Sequence, residues 1–133
     1  MAMLAGLVAS GDLSASQFRF VRLSTSAPFE VSAISNANAP QIPIGVLQNK
    51  PDAAGQGAEV AGPGEVCKAE AGGSFDEAVT LGVDDSGRVI AAPFETSPAT
   101  ADLYIIGTSL QASGALGDVV FILVQSPVLA STQ

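Results

Sequence analysis

Several residue types that often act in enzyme active sites are absent from the sequence or rare in it. It has no histidine, no tryptophan, one tyrosine and a single cysteine, Cys67. The absence of histidine removes the usual general base at neutral pH and a common ligand of zinc. Because Cys67 lies in a strand-like stretch with no histidine to activate it, we interpret it as a buried, inert thiol. A single cysteine also excludes an intrachain disulfide, so an oxidising compartment is not required.

The carboxylates form no recognisable catalytic or metal-binding pattern. Two adjacent pairs, Asp76/Glu77 and Asp84/Asp85, are candidates for the carboxylate chemistry of glycosidases or for calcium binding. The second pair is explained by the tight turn that it occupies, where aspartate is favoured, and it lacks the alternating acidic ligands of a calcium loop. We therefore assign no catalytic residue, no metal site and no cofactor, and predict that the protein is not an enzyme.

Basic residues are scarce. The 133 residues include 5 Lys or Arg against 13 Asp or Glu, which gives a net charge of -8, and 14% of the residues are charged, against about 25% in an average protein. Binding to nucleic acid or to anionic lipid requires clustered positive charge, so we predict neither partner. Small neutral residues must cover much of the surface instead, which suits packing against other subunits.

Turn signals divide the chain into short strand candidates from Phe18 onward. The candidates are 18–24, 28–34, 42–48, 57–62, 65–70, 78–83, 88–92, 103–111 and 118–125. Gly73–Val79 could form one helical turn with Ser74 as its N-cap, and residues 93–102 are interpreted as a loop. With no longer amphipathic helix, this spacing predicts an all-β fold, a small antiparallel β-sandwich or barrel, in a single domain.

Two segments of the chain share a pattern of residues. Each runs from Ile-Gly through Leu-Gln and a glycine-containing turn to a strand that carries valine: Ile44-Gly45 to Gln48 in the first segment, Ile106-Gly107 to Gln111 in the second. Neither segment places a nucleophile, a base or a set of metal ligands in its loop. The pattern therefore indicates scaffold and not an active site.

The candidate strand 118–125 is apolar on both faces. Val119, Phe121 and Leu123 share one face, and Val120, Ile122 and Val124 share the other. Such a strand is typical of the inside of a sandwich or barrel, or of a subunit interface. We predict that Phe121 is buried in the core. The two apolar faces and the charge-poor surface together predict a homotrimer.

Four segments resemble the small head-decoration, or capsid cement, proteins of tailed bacteriophages. They are Ala9–Ala15 leading into Phe18–Leu23, Ile44–Pro51, Leu81–Arg88, and Ile106–Thr108 with Gly117–Val120. Together they span roughly residues 9–125, and their order carries most of the resemblance.

This resemblance implies a structural protein that binds the outer surface of a phage head and stabilises contacts between capsomers. Its expected partners are the major capsid protein and further copies of itself, commonly as a homotrimer and in some cases as a dimer. It would be made in the host cytoplasm and reside on the outer capsid surface of the virion. The alternative is another oligomeric virion module, such as a head-fibre base or a tail component. A trimeric nucleotide hydrolase would need motif-borne Asp, Ser and Arg or Tyr, and no such motif is present.

Residues 1–16 are predicted to form a flexible N-terminal arm on a β-rich domain of residues 17–133. The arm has four large apolar residues, Leu4, Leu7, Val8 and Leu13, which we predict to contact the capsid by adding a strand to a sheet edge. Deleting residues 2–14 would then leave the β-domain folded.

Overall fold

The computed structural model describes residues 3–4, 6–24, 27–34, 42–84, 86–91 and 103–131. Regular structure in these ranges is almost entirely β-strand, with one 3₁₀ turn at Ser14–Ser16. This confirms the predicted all-β class. None of the helical structure described has the length and apolar character needed to cross a membrane.

The strands form two sheets. The first sheet contains β1 (Met3–Leu4), β2 (Val8–Ala9), β3 (Phe20–Leu23), β4 (Glu30–Ala33), β5 (Gly45–Leu47) and β6 (Val60–Ala61), in the order β1-β6-β5-β3-β4-β2. The second sheet contains β7 (Val66–Glu70), β8 (Thr80–Val83), β9 (Val89–Ala91), β10 (Leu103–Ser109) and β11 (Val119–Ser131), in the order β7-β11-β10-β8-β9. All pairs are antiparallel except β2 with β4.

Each of the nine predicted strand ranges contains one observed strand or most of it. Strands β1 and β2 were not predicted, because they have two residues each and are too short to show an alternating pattern. The predicted loop 93–102 lies outside the described residues.

The N-terminal segment closes the first sheet. Met3 and Leu4 pair with β6, whereas Val8 and Ala9 pair with β4 at the opposite edge, and Val8 also forms a bridge with Gly57. One short segment thus joins both edges, so the first sheet closes into a small barrel. Its interior is one of two apolar clusters and consists of Ala9, Leu13, Val21, Val31, Leu47, Ala58 and Val60, with Leu7, Ala33 and Ile44 packed against them.

The described part of the predicted arm is therefore structured. Ala9 is fully buried and Leu13 nearly so, and the Leu13 amide donates to the Pro51 carbonyl at 2.8 Å. The Ala9 amide donates to the Gln56 carbonyl at 2.8 Å. Residues 6–16 do not form a free arm, because Ala9 and Leu13 are buried inside the barrel and Leu7 packs against the same cluster. Truncation of residues 2–14 would remove this part of the core.

The second sheet curls until its two edge strands approach each other. Just beyond β7, Ala71 forms a parallel bridge with Val89 of β9, and the Gly72 amide donates to the Val89 carbonyl at 2.7 Å. The concave face packs on the outside of the barrel through Phe20, Val46 and Ala61. Small or medium apolar residues fill the second cluster from the curled sheet, among them Cys67, Ala69, Leu81, Val89, Ile106, Val120, Ile122 and Val124.

The repeated Ile-Gly pattern has the same role in both sheets. A Cβ on Gly45 would meet the Ala61 carbonyl oxygen of β6, and one on Gly107 would meet the Leu123 carbonyl oxygen of β11. Only glycine allows the neighbouring strand to come so close. Both segments are antiparallel hairpins with long loops, so the interpretation of the pattern as scaffold is confirmed.

Gly107→Ala is expected to lower the free energy of unfolding by about 1–3 kcal/mol, because the added methyl group must displace backbone of β11. Gly114→Ala is the matched control: its nearest neighbour is a side-chain oxygen of Asp118 at 3.6 Å, so a methyl group fits. Chemical denaturation of both variants measures the difference. Equal stability of the two would show that β10 and β11 tolerate a wider separation.

The predicted helical turn at Gly73–Val79 is wrong. Phe75 instead exchanges backbone hydrogen bonds with Ser113 in an antiparallel bridge, at 2.8 and 3.0 Å. Ala78 then adopts a left-handed backbone with φ of 63°, which a helix excludes. Burial of the Phe75 side chain against the second cluster outweighs the local capping signal.

Candidate functional site

Cys67 has no features of a nucleophile. Its side chain points into the second cluster, and burial raises the pKa of the thiol to about 12, with the nearby charge of Glu65 acting in the same direction. The reactive thiolate is therefore almost absent at neutral pH. The prediction of a buried, inert thiol is confirmed.

The carboxylate pairs also lack the geometry of a catalytic or metal site. Asp76 and Glu77 are exposed. One Asp84 carboxylate oxygen accepts hydrogen bonds from the backbone amides of Ser86 and Arg88, both at 2.9 Å, which is the turn role expected from the sequence. Asp85 lies outside the described residues. Within the described ranges, no three Asp, Glu or Cys side chains lie close enough together to hold a metal ion.

The main polar cluster joins the two sheets. The Glu70 carboxylate, at the end of β7, accepts hydrogen bonds from Arg19 Nε at 3.0 Å and from Arg88 Nε at 2.8 Å. Arg19 precedes β3 of the barrel and Arg88 precedes β9. Desolvation opposes ionisation of Glu70, but the hydrogen bonds and charges of the two arginines outweigh it and hold the pKa of Glu70 below its ordinary value. These contacts stabilise the fold and leave the carboxylate fully engaged.

Glu70→Gln is expected to lower the free energy of unfolding at pH 7 by about 2 kcal/mol, since two charge-assisted hydrogen bonds are weakened. Because the pKa of Glu70 is lowered in the folded state, its contribution is present above its unfolded pKa and is lost as the pH falls through the folded value. The difference in stability between the two proteins should therefore start to shrink as the pH falls below about 4.3, the ordinary pKa of Glu, and should disappear below the lower pKa of the folded state. A difference that stays constant down to pH 3 would contradict this assignment.

The structure separates the four residues predicted to contact the capsid. Leu13 is buried in the barrel, and Leu7 is half-buried against the same cluster. Val8 is half-buried in its pairing with Glu30 of β4, and Leu4 pairs with Val60 of β6. In this conformation Leu13 is not accessible to a partner. The capsid-contact role of the four stays a prediction.

A group of exposed apolar side chains lies on the convex face of the second sheet. We call it the outer patch, and it consists of the exposed Val66, Leu110, Val119 and Phe121 together with the half-buried Leu123 beside them. Leu123 pairs with Val66, and the Phe121 carbonyl accepts from the Leu110 amide at 3.0 Å, so the residues are neighbours. The predicted burial of Phe121 is wrong: the side chain is 41% exposed. Val120, Ile122 and Val124 occupy the core face instead.

The sequence predicts only part of the outer patch. The two apolar faces of strand 118–125 did indicate an interface as one of the options. Val66 lies on β7 and Leu110 directly follows β10, and no local sequence pattern links these two residues to strand 118–125. A second exposed aromatic, Phe29, lies at the turn between β3 and β4 with φ of 60°, and its carbonyl accepts from the Val8 amide.

The fold has a known counterpart. The head fiber gp8.5 N base of bacteriophage phi29 is similar in structure, with a TM-score of 0.63 and 14% sequence identity over 97% of this chain and 99% of that chain. No protein-family model and no curated protein matches the sequence. At this level of identity the likeness shows that the two chains share a fold.

Proposed function

We propose that this protein is a structural, non-enzymatic component of a bacteriophage head, and that it serves as the base of a head fibre. The observation that carries the proposal is the likeness to the phi29 head-fibre base, which extends over almost the whole of both chains. A match of that extent concerns the complete arrangement of barrel and curled sheet, and not a hairpin that many β-proteins share. The chemistry of the described residues is compatible with this, because Cys67 is buried and the carboxylates of Glu70 and Asp84 are held in hydrogen bonds that stabilise the fold.

The likeness favours a head-fibre base over the capsid cement protein that the sequence resemblance put first. Both functions place the protein on the outer surface of the virion head, with the major capsid protein as partner. They differ in what the protein holds together: a cement protein bridges capsomers, whereas a fibre base anchors a projecting structure. We further propose that the chain acts as a homotrimer, since simultaneous attachment of several subunits makes weak individual contacts durable.

The test is to locate the protein on particles and to remove it. Antibodies against the purified protein should label the outside of intact heads in electron microscopy, and deletion of its gene should abolish both the label and the projections. Adding purified protein to the deficient heads should restore the label. Label on tails, label that appears only after heads are broken, or particles without the protein would overturn the proposal.

Heat resistance separates the two head functions. Heads that lack a fibre base should retain their DNA on heating as well as complete heads do, because no contact between capsomers is lost. Heads that lack a cement protein should release DNA at a lower temperature. Release of DNA at a lower temperature from heads that lack this protein would identify it as a capsid cement protein instead.

A further inference from the structure

The outer patch extends across three neighbouring strands on the convex face of the second sheet. Phe121 occupies its centre on β11, with Lys68 of β7 paired opposite it on one side and Leu110 bonded to it on the other. Val66 and Leu123 form the adjacent row. Side chains on one face of neighbouring strands stand about 5 Å apart, so these residues present a continuous apolar surface and not isolated exposed groups.

The exposed area is large enough for the centre of a protein interface. Four patch residues remain substantially uncovered: Val66 at 57%, Val119 and Leu110 at 46% each, and Phe121 at 41%. Aromatic side chains have about 150–250 Å² of surface and Val or Leu have less, so the uncovered apolar area is on the order of 300 Å². A stable interface buries about 800 Å² per partner with an apolar centre and a polar rim. The exposed Thr80, Gln111 and Lys68 around the patch supply such a rim.

The charges around the patch suit a second copy of the same chain. Two molecules that each have a net charge of -8 repel each other unless they meet where acidic groups are few or neutralised. On this face Glu70 is neutralised by Arg19 and Arg88. Lys68 forms no ion pair with any described residue, and its ammonium lies 5.9 Å from the centre of the Phe121 ring. Around Phe121, Lys68 and the neutralised Glu70 therefore bring no unpaired carboxylate into a contact between two copies.

We infer that the outer patch is the surface through which copies of this chain associate. Around a three-fold axis, the outer patch of each copy faces the patches of the other two, and the contact buries Phe121 on every copy. This names the self-association surface of the homotrimer proposed above. Its test needs no phage head, so it succeeds or fails separately from the assignment to the virion.

The experiment compares glutamate substitutions of exposed apolar residues in the full chain. Phe121→Glu places a carboxylate at the centre of the patch, and Leu116→Glu is the matched control, since Leu116 is 62% exposed in the loop between β10 and β11. Sedimentation velocity over a range from low to high micromolar concentration measures association, and circular dichroism checks the fold. We expect the wild type and Leu116→Glu to associate alike, and Phe121→Glu to associate at least tenfold more weakly.

Val66→Glu provides a second variant on the patch if Phe121→Glu does not fold. A wild-type protein that is monomeric at every concentration would overturn the inference, and the patch would then belong to a different partner. Association that neither patch variant weakens would also overturn it, because the contact would then lie on another surface.

Discussion

Replacing Phe20 by alanine is expected to lower the free energy of unfolding by about 3–5 kcal/mol, whereas the same change at Phe121 should cost less than about 1 kcal/mol in the monomer. Phe20 is 1% exposed and packs between the barrel and the curled sheet, so its removal leaves a cavity at the centre of the larger cluster. The Phe121 ring lies on the convex face, partly in solvent and beside the Lys68 ammonium. Its truncation leaves no cavity.

Chemical denaturation of both variants at low protein concentration measures this contrast. The two substitutions remove the same atoms, so they differ only in the surroundings of the ring. At high concentration Phe121→Ala should lose more stability relative to the wild type, since association stabilises the folded state. If Phe121→Ala lowered the free energy of unfolding as much as Phe20→Ala, the faces of β11 would be exchanged. Phe121 would then lie in the core, as the sequence alone suggested.

Ala9→Asp is expected to abolish cooperative folding or to destabilise the protein by at least 3 kcal/mol. Ala9 is fully buried inside the barrel, on the segment that closes it, and among the described residues its surroundings are apolar. A carboxylate at this position would be desolvated without a partner, which is among the most costly single changes in a core. Thermal unfolding followed by circular dichroism is the measurement.

Ala15→Asp is the control for this prediction. Ala15 belongs to the same N-terminal region but is exposed in the 3₁₀ turn, so the same change there should shift stability by less than about 0.5 kcal/mol. If both variants fold as well as the wild type, residues 1–16 are the separable arm that the sequence suggested. Loss of the fold in Ala9→Asp alone would establish that this region is part of the barrel.

The positions of the strands were predictable because they depend on local properties. The alternation of Val79, Leu81 and Val83 and the turn at Asp84–Gly87 predict the β8–β9 hairpin without any tertiary information, and the structure has it. The inert character of Cys67 followed in the same way from the absence of histidine. The capping signal at Ser74 failed because the pairing of Phe75 with Ser113, far along the chain, outweighs it.

The buried face of β11 does not follow from local properties of the sequence. Alternation shows that Val119, Phe121 and Leu123 share a face, but a strand that is apolar on both sides does not reveal which face is inside. The answer depends on β7, where Cys67 pairs with Ile122 and Lys68 pairs with Phe121. Since paired residues share a face, burying Phe121 would also have buried the Lys68 ammonium.

The sequence by itself determined the all-β class, the nine main strands and the acidic, charge-poor composition, since each depends on composition or on near neighbours in the chain. Only the tertiary structure decided that Met3–Leu4 and Val8–Ala9 close a barrel and that Phe121 faces outward. The physical reason is that both depend on pairing between distant segments. A two-residue strand such as Val8–Ala9 forms only where the edge of β4 already presents unpaired backbone groups.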